Sequence, residues 1–339
     1  MLNYLIDLVI FLKIKCSEKK YNYVFFNENN NTFQYLKEII KNKSSKKEVL
    51  LLSIKKSDLK DLKINQISFK TQFFYRLFFL TLKIKILYTT TVDLENSFFL
   101  KSKFQKNFYI YIQHSTVSLS KKYGAKAFNE FDAVQVINKS QYDDLQDINR
   151  INKRKIRPIK SSYKFFDVVP KNSKSPKVDF LIAPTWNTNF YELKLHLKLI
   201  KLIEQKKMSY ELRPHFMSFE KKELKIENNP EINYNLDNLL NFNKYKYLIS
   251  DWSGLFIEFA IINKCKPFLL NTNQKALNDS FNLFKNKPIE VTSKQFLAHE
   301  VDVSNLEIIF DIINDNNKSS IESEQIFDFY KKNFYFKSL

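Results

Sequence analysis

Short apolar runs alternate with stretches of helical spacing along almost the whole chain. In the first half, "YNYVFF" (21–26), "EVLLLSI" (48–54), "FYIYIQ" (108–113) and "AVQVIN" (133–138) read as strands rich in β-branched and aromatic residues. Between them, helical spacing predicts helices over 33–41, from Phe73 into the strand "KIKILYTT", and over "SQYDDLQDI" (140–148). The pattern lapses over 160–177, "KSSYKFFDVVPKNSKSPK", which has no period and is rich in Ser and Pro. It resumes with "VDFLIAPTW" (178–186), a helix over 190–207, "SYELRPH" (209–215), "YKYLIS" (245–250), a helix opened by Ser253, and "KPFLL" (266–270). This alternation predicts an α/β protein with parallel sheets covered by helices on both faces. Two doubly wound, Rossmann-like halves are expected at 1–159 and 177–319, joined by a linker at 160–176. A C-terminal helix within 320–339 is expected to fold back across both. No internal repeat is visible.

Composition narrows the partners. The 339 residues are 44% hydrophobic and 27% charged, which excludes global disorder. A formal net charge of +19 points to nucleic acid, an anionic membrane surface or a phosphorylated substrate. A bias towards Lys, Asn, Ile and Phe, in a chain with only 2 glycines, accounts for the excess equally well. The lysines are spread along the chain rather than gathered with aromatics, so nucleic acid is not expected as a partner. Cys16 and Cys265 are too far apart in sequence for a metal-binding pair, and the 4 His are scattered. No metal and no cofactor is therefore expected, and a reducing cytoplasmic setting is. The opening "MLNYLIDLVIFLKIK" is interrupted by Asp7 and ended by Lys13, short of the ~20 apolar residues that span a bilayer. It reads either as a helix packed on the fold or as one lying in a membrane interface. The aromatic, basic segment Phe73–Leu87 carries the same two readings.

The chemistry gathers at strand ends. In "LISDWSGLFIEFA" a buried strand passes through Asp251, Trp252, Ser253 and Gly254 into a helix. Ligands of open α/β sheets sit beyond the carboxyl ends of strands, and a helix N-terminus there suits phosphate. Ser253 can cap that helix or donate to phosphate. Gly254 removes a side chain where a diphosphate would approach, and Glu258 lies one turn on, in reach of a ribose. In "LRPHF", Arg213 and His215 are two apart at a strand end and so point to one side, a guanidinium and an imidazole suited to phosphate. "APTW" brings Thr185 to the same edge. "YIQHSTVSLSKKYGAK" ends a first-half strand with His114, followed by Ser115 and by Lys121, Lys122 and Lys126, which either attract an anionic acceptor or are merely solvated. Both glycines and both tryptophans fall in or just after these turns.

These four stretches, in this order, resemble the CDP-glycerol glycerophosphotransferase family, which builds glycerol-phosphate polymers such as teichoic acids and some capsules. "IQHSTVSLSKKYG" is similar to its Q-x-W-H-G-T-P-x-K-x-x-G motif, "APTW" to its A-P-T-W strand end, "RPHF" to R-x-H-P, and "SDWSGLFIEFA" to T-D-Y-S-S with an aromatic-acidic helix. The similarity covers roughly 75–275, with Ser115 in place of a Gly, Phe216 of a Pro and Gly254 of the second Ser. It implies a GT-B architecture, metal-independent transfer and a peripheral habit on the inner face of the cell membrane. It implies that His114 accepts the proton of the acceptor hydroxyl and that His215 acts on the donor side. Thr185, Arg213, Ser250, Asp251, Ser253, Gly254 and Glu258 are the expected donor-binding set, with Ser115 and Lys122 on the acceptor side. The expected activity is transfer of a phosphopolyol, glycerol phosphate first, from a CDP-activated donor to a hydroxyl of a lipid-linked or polymeric glycan. The alternative on the same fold is a nucleotide-sugar glycosyltransferase of surface polysaccharide synthesis.

Overall fold

The computed structural model describes residues 2–334 except 18–20, 29, 44–45, 55–61, 96–98, 103–104, 164–165, 167–175, 227–229, 237–239, 274–276 and 316–318. Seven parallel strands make the first sheet: β1 (Tyr23–Asn27), β2 (Val49–Ser53), β3 (Asn65–Ile67), β4 (Ile86–Thr89), β5 (Phe108–Tyr111), β6 (Ala133–Val136) and β7 (Arg157–Lys160), in spatial order β3-β2-β1-β4-β5-β6-β7. Five more make the second: β8 (Val178–Ile182), β9 (Tyr210–Leu212), β10 (Tyr245–Ser250), β11 (Phe268–Leu270) and β12 (His299–Val301), in order β12-β11-β10-β8-β9. With the first sheet go α1 (Leu2–Ser17), α2 (Asn30–Lys41), α3 (Gln72–Thr81), α4 (Leu119–Lys122) and α5 (Lys139–Asn152). With the second go α6 (Leu195–Gln205), α7 (Phe216–Glu220), α8 (Leu255–Asn263), α9 (Ile289–Thr292), α10 (Lys294–Leu297) and α11 (Ile308–Asn314). The last helix, α12 (Ser319–Phe334), packs on α8 and α10 and reaches α5.

Successive residues of β1 face opposite sides of the sheet, and both sides are covered. Phe26 joins Phe78 and Phe79 of α3 on one side, while Phe25 joins Leu36 and Ile40 of α2 on the other. All are fully buried or nearly so, each side chain contributing roughly 1.5–3 kcal/mol by leaving water. The strands without a sequence signal are the edges β3 ("NQI"), β7 ("RPIK") and β12 ("HEV"), short and largely polar as edges tend to be. The helix expected from residue 190 begins only at Leu195. Lys194 takes a left-handed φ of 53°, and the preceding residues turn so that Thr188 and Asn189 can bind Asp251 and Asn273. Most of the aperiodic stretch 160–176 lies outside the described residues, but Tyr163 within it is buried.

Helix α1 packs Ile10, Phe11 and Ile14 on the core but turns much of its apolar surface outward. Its acid is buried, while Leu2, Tyr4, Leu5, Leu8, Val9 and Leu12 are exposed, Leu2 at 71% and Val9 at 65%. The cause is local. Thr71, at the N-cap of α3, makes no cap bond to its own helix; instead the Asp7 carboxylate accepts from the backbone N–H of Lys70 (2.7 Å) and Thr71 (2.8 Å) and from the Thr71 hydroxyl (2.8 Å). That cap across the chain satisfies the helix end and the buried charge together. It fixes which face of α1 looks inward. Among the described residues no helix is long and apolar enough to cross a membrane.

The two halves meet through the loop after β5. Thr116 Oγ1 donates to the Gly254 carbonyl (3.1 Å), Ser118 donates through both N–H and hydroxyl to Glu290 (3.1 Å each), and Asn278 donates to the Ser120 carbonyl (2.8 Å). The Lys121 and Lys294 ammonium groups each lie over the Trp252 ring, 4.2 and 4.0 Å from its centre, cation–π contacts at this joint. Lys121 is thus committed to the joint rather than offered to a substrate.

Candidate active site

The carboxyl ends of both sheets open onto one cleft of about 770 Å³. Its first-half wall follows β1, β4 and β5, and its second-half wall follows β8, β9 and β10. His114, Ser115, Lys122, Arg213, His215, Ser253, Gly254 and Glu258 all line it. Thr185, Ser250 and Asp251 are not among its lining residues.

His114 leaves the end of β5 on a chain held extended by the Ile112 N–H to Thr89 carbonyl bond (2.7 Å). Its Nδ1 lies 3.2 Å from the Tyr111 hydroxyl, which is 3.1 Å from the Tyr123 hydroxyl and 3.4 Å from Gln113 Oε1. With the Tyr111 proton given to Gln113 or Tyr123, the phenol oxygen accepts from Nδ1–H and the Nε2 lone pair is left for the cleft. Burial first, and the Lys122 charge second, hold this imidazole down to about 3. At neutral pH it is uncharged.

Glu258 sits on α8 beneath the same wall. Its carboxylate accepts from the Tyr163 hydroxyl (3.0 Å), which is 3.0 Å from the Tyr35 hydroxyl, and the Tyr35 ring is 6.3 Å from that of His114. Burial lifts the Glu258 carboxyl to about 7, against the opposing Tyr163 hydrogen bond and Lys122 charge. The side chain, expected from the sequence to reach a ribose, engages Tyr163 from the stretch that connects the halves and also lines the cleft. Burial also lowers the Lys122 ammonium, with Glu290 and Glu258 opposing it.

On the second wall, β9 stops at Leu212, so Arg213 and His215 share a side through the turn after the strand rather than by strand alternation. Arg213 Nη1 donates to Asn235 Oδ1 (2.9 Å), and Asn235 Nδ2 donates to Glu211 (2.9 Å), which also receives Lys244 and the Tyr245 hydroxyl. This chain aims the guanidinium. Asn235 lies in an Asn-rich stretch that gave no sequence signal. His215 Nδ1 accepts from the Met217 N–H (3.2 Å), which places the ring proton on Nε2 and makes that nitrogen a donor. Its ring stacks on Phe216 (4.8 Å between centres, 28°), and Trp186 stands 6.3 Å away.

Three expected donor-side residues stand behind the wall. Asp251 is fully buried and accepts from the Thr185 N–H (2.7 Å), the Thr188 hydroxyl (3.0 Å) and the Thr272 hydroxyl (3.2 Å), tying together the exits of β8, β10 and β11. Ser250 Oγ donates to the Ala183 carbonyl (2.7 Å). They build the turn that carries Ser253, whose Oγ accepts from the Leu255 N–H (3.3 Å) just ahead of the Gly254 N-cap of α8. Gly254 has an ordinary φ of −62°, so no left-handed turn requires a glycine. A Cβ there would lie 2.7 Å from Val117 Cγ1, 3.0 Å from Ser115 Oγ and 3.1 Å from Thr116 Oγ1. The missing side chain makes room for the first-half loop, and Gly254 also lines the cleft. Among the described residues no group of three or more His, Cys, Asp or Glu side chains is placed to hold a metal ion.

No family model and no curated protein matches the chain by sequence. Solved structures do match by fold. The wall teichoic acid polymerase TagF, soaked with CDPG, superposes with a TM-score of 0.60 at 13% identity over 97% of this chain and 92% of its own. A second TagF structure gives 0.57 at 12% identity over 98% and 93%. Anabaena HepE, in complex with UDP and glucose, gives 0.50 at 9% identity over 93% and 95%. The family that the sequence motifs resemble is represented among these neighbours by TagF, a CDP-glycerol glycerophosphotransferase. At such identities the likeness establishes the architecture: this chain has the GT-B fold, two parallel α/β sheets facing a cleft.

Proposed function

We propose that the protein transfers a phosphopolyol, glycerol phosphate in the first instance, from a CDP-activated donor to a hydroxyl of a lipid-linked or polymeric glycan. One observation carries this reading: the His114 imidazole shares a cleft with an oriented guanidinium, Arg213, and an imidazole N–H donor, His215. The acceptor oxygen attacks the phosphorus that bears the polyol, and its proton passes to His114 Nε2. A new P–O bond forms as the bond to the CMP phosphate oxygen breaks, and CMP leaves with that electron pair. Arg213, His215 Nε2–H and the N-terminus of α8 at Ser253 take up the charge on the leaving phosphate. Phe216, 45% exposed at the cleft, and Trp186 offer faces for the cytosine ring.

The exposed apolar face of α1, beside Phe73 and the exposed Arg76, Lys83 and Lys85, is suited to an anionic membrane surface that carries a lipid-linked acceptor. In this reading the protein works at the inner face of the cell membrane. The likeness to HepE supports the second reading, transfer of a sugar from a nucleotide sugar. Product analysis separates the two. With CDP-glycerol labelled in its glycerol phosphate and a panel of alkyl glycosides, the label enters a glycoside with release of one CMP per transfer. Label transfer from UDP-glucose with UDP release, and none from CDP-glycerol, selects the second reading instead.

A further inference from the structure

The first-half wall of the cleft contains a row of side chains that the transfer step does not use. β1, β4 and β5 are neighbours in the sheet, so their carboxyl ends stand side by side, about 4.8 Å apart. Glu28 follows β1, Thr90 and Thr91 follow β4, and His114 follows β5. Thr32 and Gln34, from the first turns of α2, line the same wall. Thr91 Oγ1 donates to Glu28 Oε2 (2.8 Å), and the Thr32 and Thr90 hydroxyls are 2.9 Å apart, so the row is ordered before any ligand arrives. Thr90 is itself buried.

The chemistry of this row differs from that of the opposite wall. Arg213 and His215 offer donors fit for a diphosphate. Glu28, Thr32, Gln34, Thr90 and Thr91 offer hydroxyls, an amide and a carboxylate, with no cation among them. Hydroxyls and amides both donate and accept, and a carboxylate accepts from two neighbouring hydroxyls at once, the pattern that a vicinal diol presents. From the end of β5 to the end of β1 is two strand spacings, about 10 Å, enough for a sugar ring and its linkage when one hydroxyl is at His114. A phosphate within that span would face Glu28, and the one lysine lining the cleft, Lys122, lies by His114 and Glu258 rather than in the row.

Resting on the proposed transfer reaction, we infer that Glu28, Thr90 and Thr91, with Thr32 and Gln34, form an acceptor subsite for an uncharged polyhydroxylated unit. The protein therefore adds its group to a phosphate-free glycan end and does not extend a chain of phosphodiester-linked units.

The test uses the full chain, CDP-glycerol as donor and two kinds of acceptor: a panel of decyl glycosides, uncharged ends on an apolar tail, and decyl phosphoglycerol, a glycerol end preceded by phosphate. CMP release is followed. At least one glycoside stimulates it with saturation, and decyl phosphoglycerol does not. Glu28→Gln and Thr91→Val each raise KM for that glycoside about tenfold, the loss of one hydrogen bond to a charged group, with CDP-glycerol affinity by calorimetry unchanged. Glu28→Lys turns decyl phosphoglycerol into an acceptor. Equal use of both acceptor kinds by the wild type, or unchanged KM in the Glu28 and Thr91 variants, overturns the subsite while leaving the donor reading intact. Failure of the wild type to bind CDP-glycerol overturns the transfer reading, and the subsite with it.

Discussion

Replacing Gly254 by Ala sets two effects of opposite sign against each other. The native φ of −62° suits alanine, so restricting the unfolded chain should stabilise the protein by ~0.4–1 kcal/mol if nothing else intervenes. The new methyl group, however, would lie 2.7 Å from Val117 Cγ1 and about as close to two further side chains of the same loop. Val117 and Thr116 are fully buried, and that loop is tied down at Thr116 and Ser118, so it has little room to retreat. Overpacking of this kind costs ~1–3 kcal/mol, and the clash wins. A net loss of about 1–1.5 kcal/mol, at roughly 2.1 cal/mol/K of unfolding entropy per residue, lowers Tm by about 2 °C. Scanning calorimetry on Gly254→Ala, Val117→Ala and the double variant checks the cause. With the valine methyls removed, the Gly254 substitution should cost almost nothing, a coupling of about 1–1.5 kcal/mol between the two positions. CDP-glycerol affinity should change little in any of the three. An unaltered Tm together with a large loss of donor affinity would refute the packing argument and show that the glycine serves the ligand.

His114→Ala and His215→Ala should fail differently: the first lowers turnover by ~10²–10⁴ with donor affinity retained, whereas the second weakens CDP-glycerol binding as well, measured by calorimetry beside steady-state kinetics. Glu258, raised from 4.5 to about 7, holds a proton in the folded state that it has lost in the unfolded state, so its contribution to stability falls as pH rises from about 4.5 to 7. Above pH 7 that deficit is about 3 kcal/mol, and Glu258→Gln should be more stable than the wild type at pH 8 but not at pH 4.5 in denaturant titrations. The depressed His114 acts oppositely, stability rising with pH between about 3 and 6.5, and cancels when variant and wild type are compared. Leu5→Glu with Val9→Glu should abolish sedimentation with anionic liposomes and leave Tm nearly unchanged, because both side chains are exposed. Retained sedimentation would remove α1 from the membrane reading.

What the sequence made legible follows from where its signals are strong. "YKYLIS" is β10 residue for residue, because a buried parallel strand is a nearly continuous apolar run ended by turn residues. The cleft was readable because its chemistry follows strands with such runs. The edge strands β3, β7 and β12 were not, since three or four residues of mixed polarity carry no period. Asp251 and Ser253 have the same residue types whether they touch a phosphate or fasten a turn, and only the bonds to Thr185, Thr188 and Thr272 decide for Asp251. Asp7 read as an interruption of an apolar helix, because its partners at Lys70 and Thr71 are more than sixty residues away. Glu28, Thr90 and Asn235 went unmarked for the same reason: their meaning comes from neighbours that the sheet, not the sequence, brings close.

Calorimetric titration of the wild type and Arg213→Ala with CDP-glycerol, and of the wild type with UDP-glucose, tests the central claim most directly. CDP-glycerol should bind the wild type with one site per chain, and loss of the guanidinium should weaken it by a factor of about ten or more, as for a charge-assisted hydrogen bond. UDP-glucose should bind far more weakly. Tight binding of UDP-glucose with none of CDP-glycerol, or an Arg213→Ala variant that binds CDP-glycerol as well as the wild type, would contradict the account.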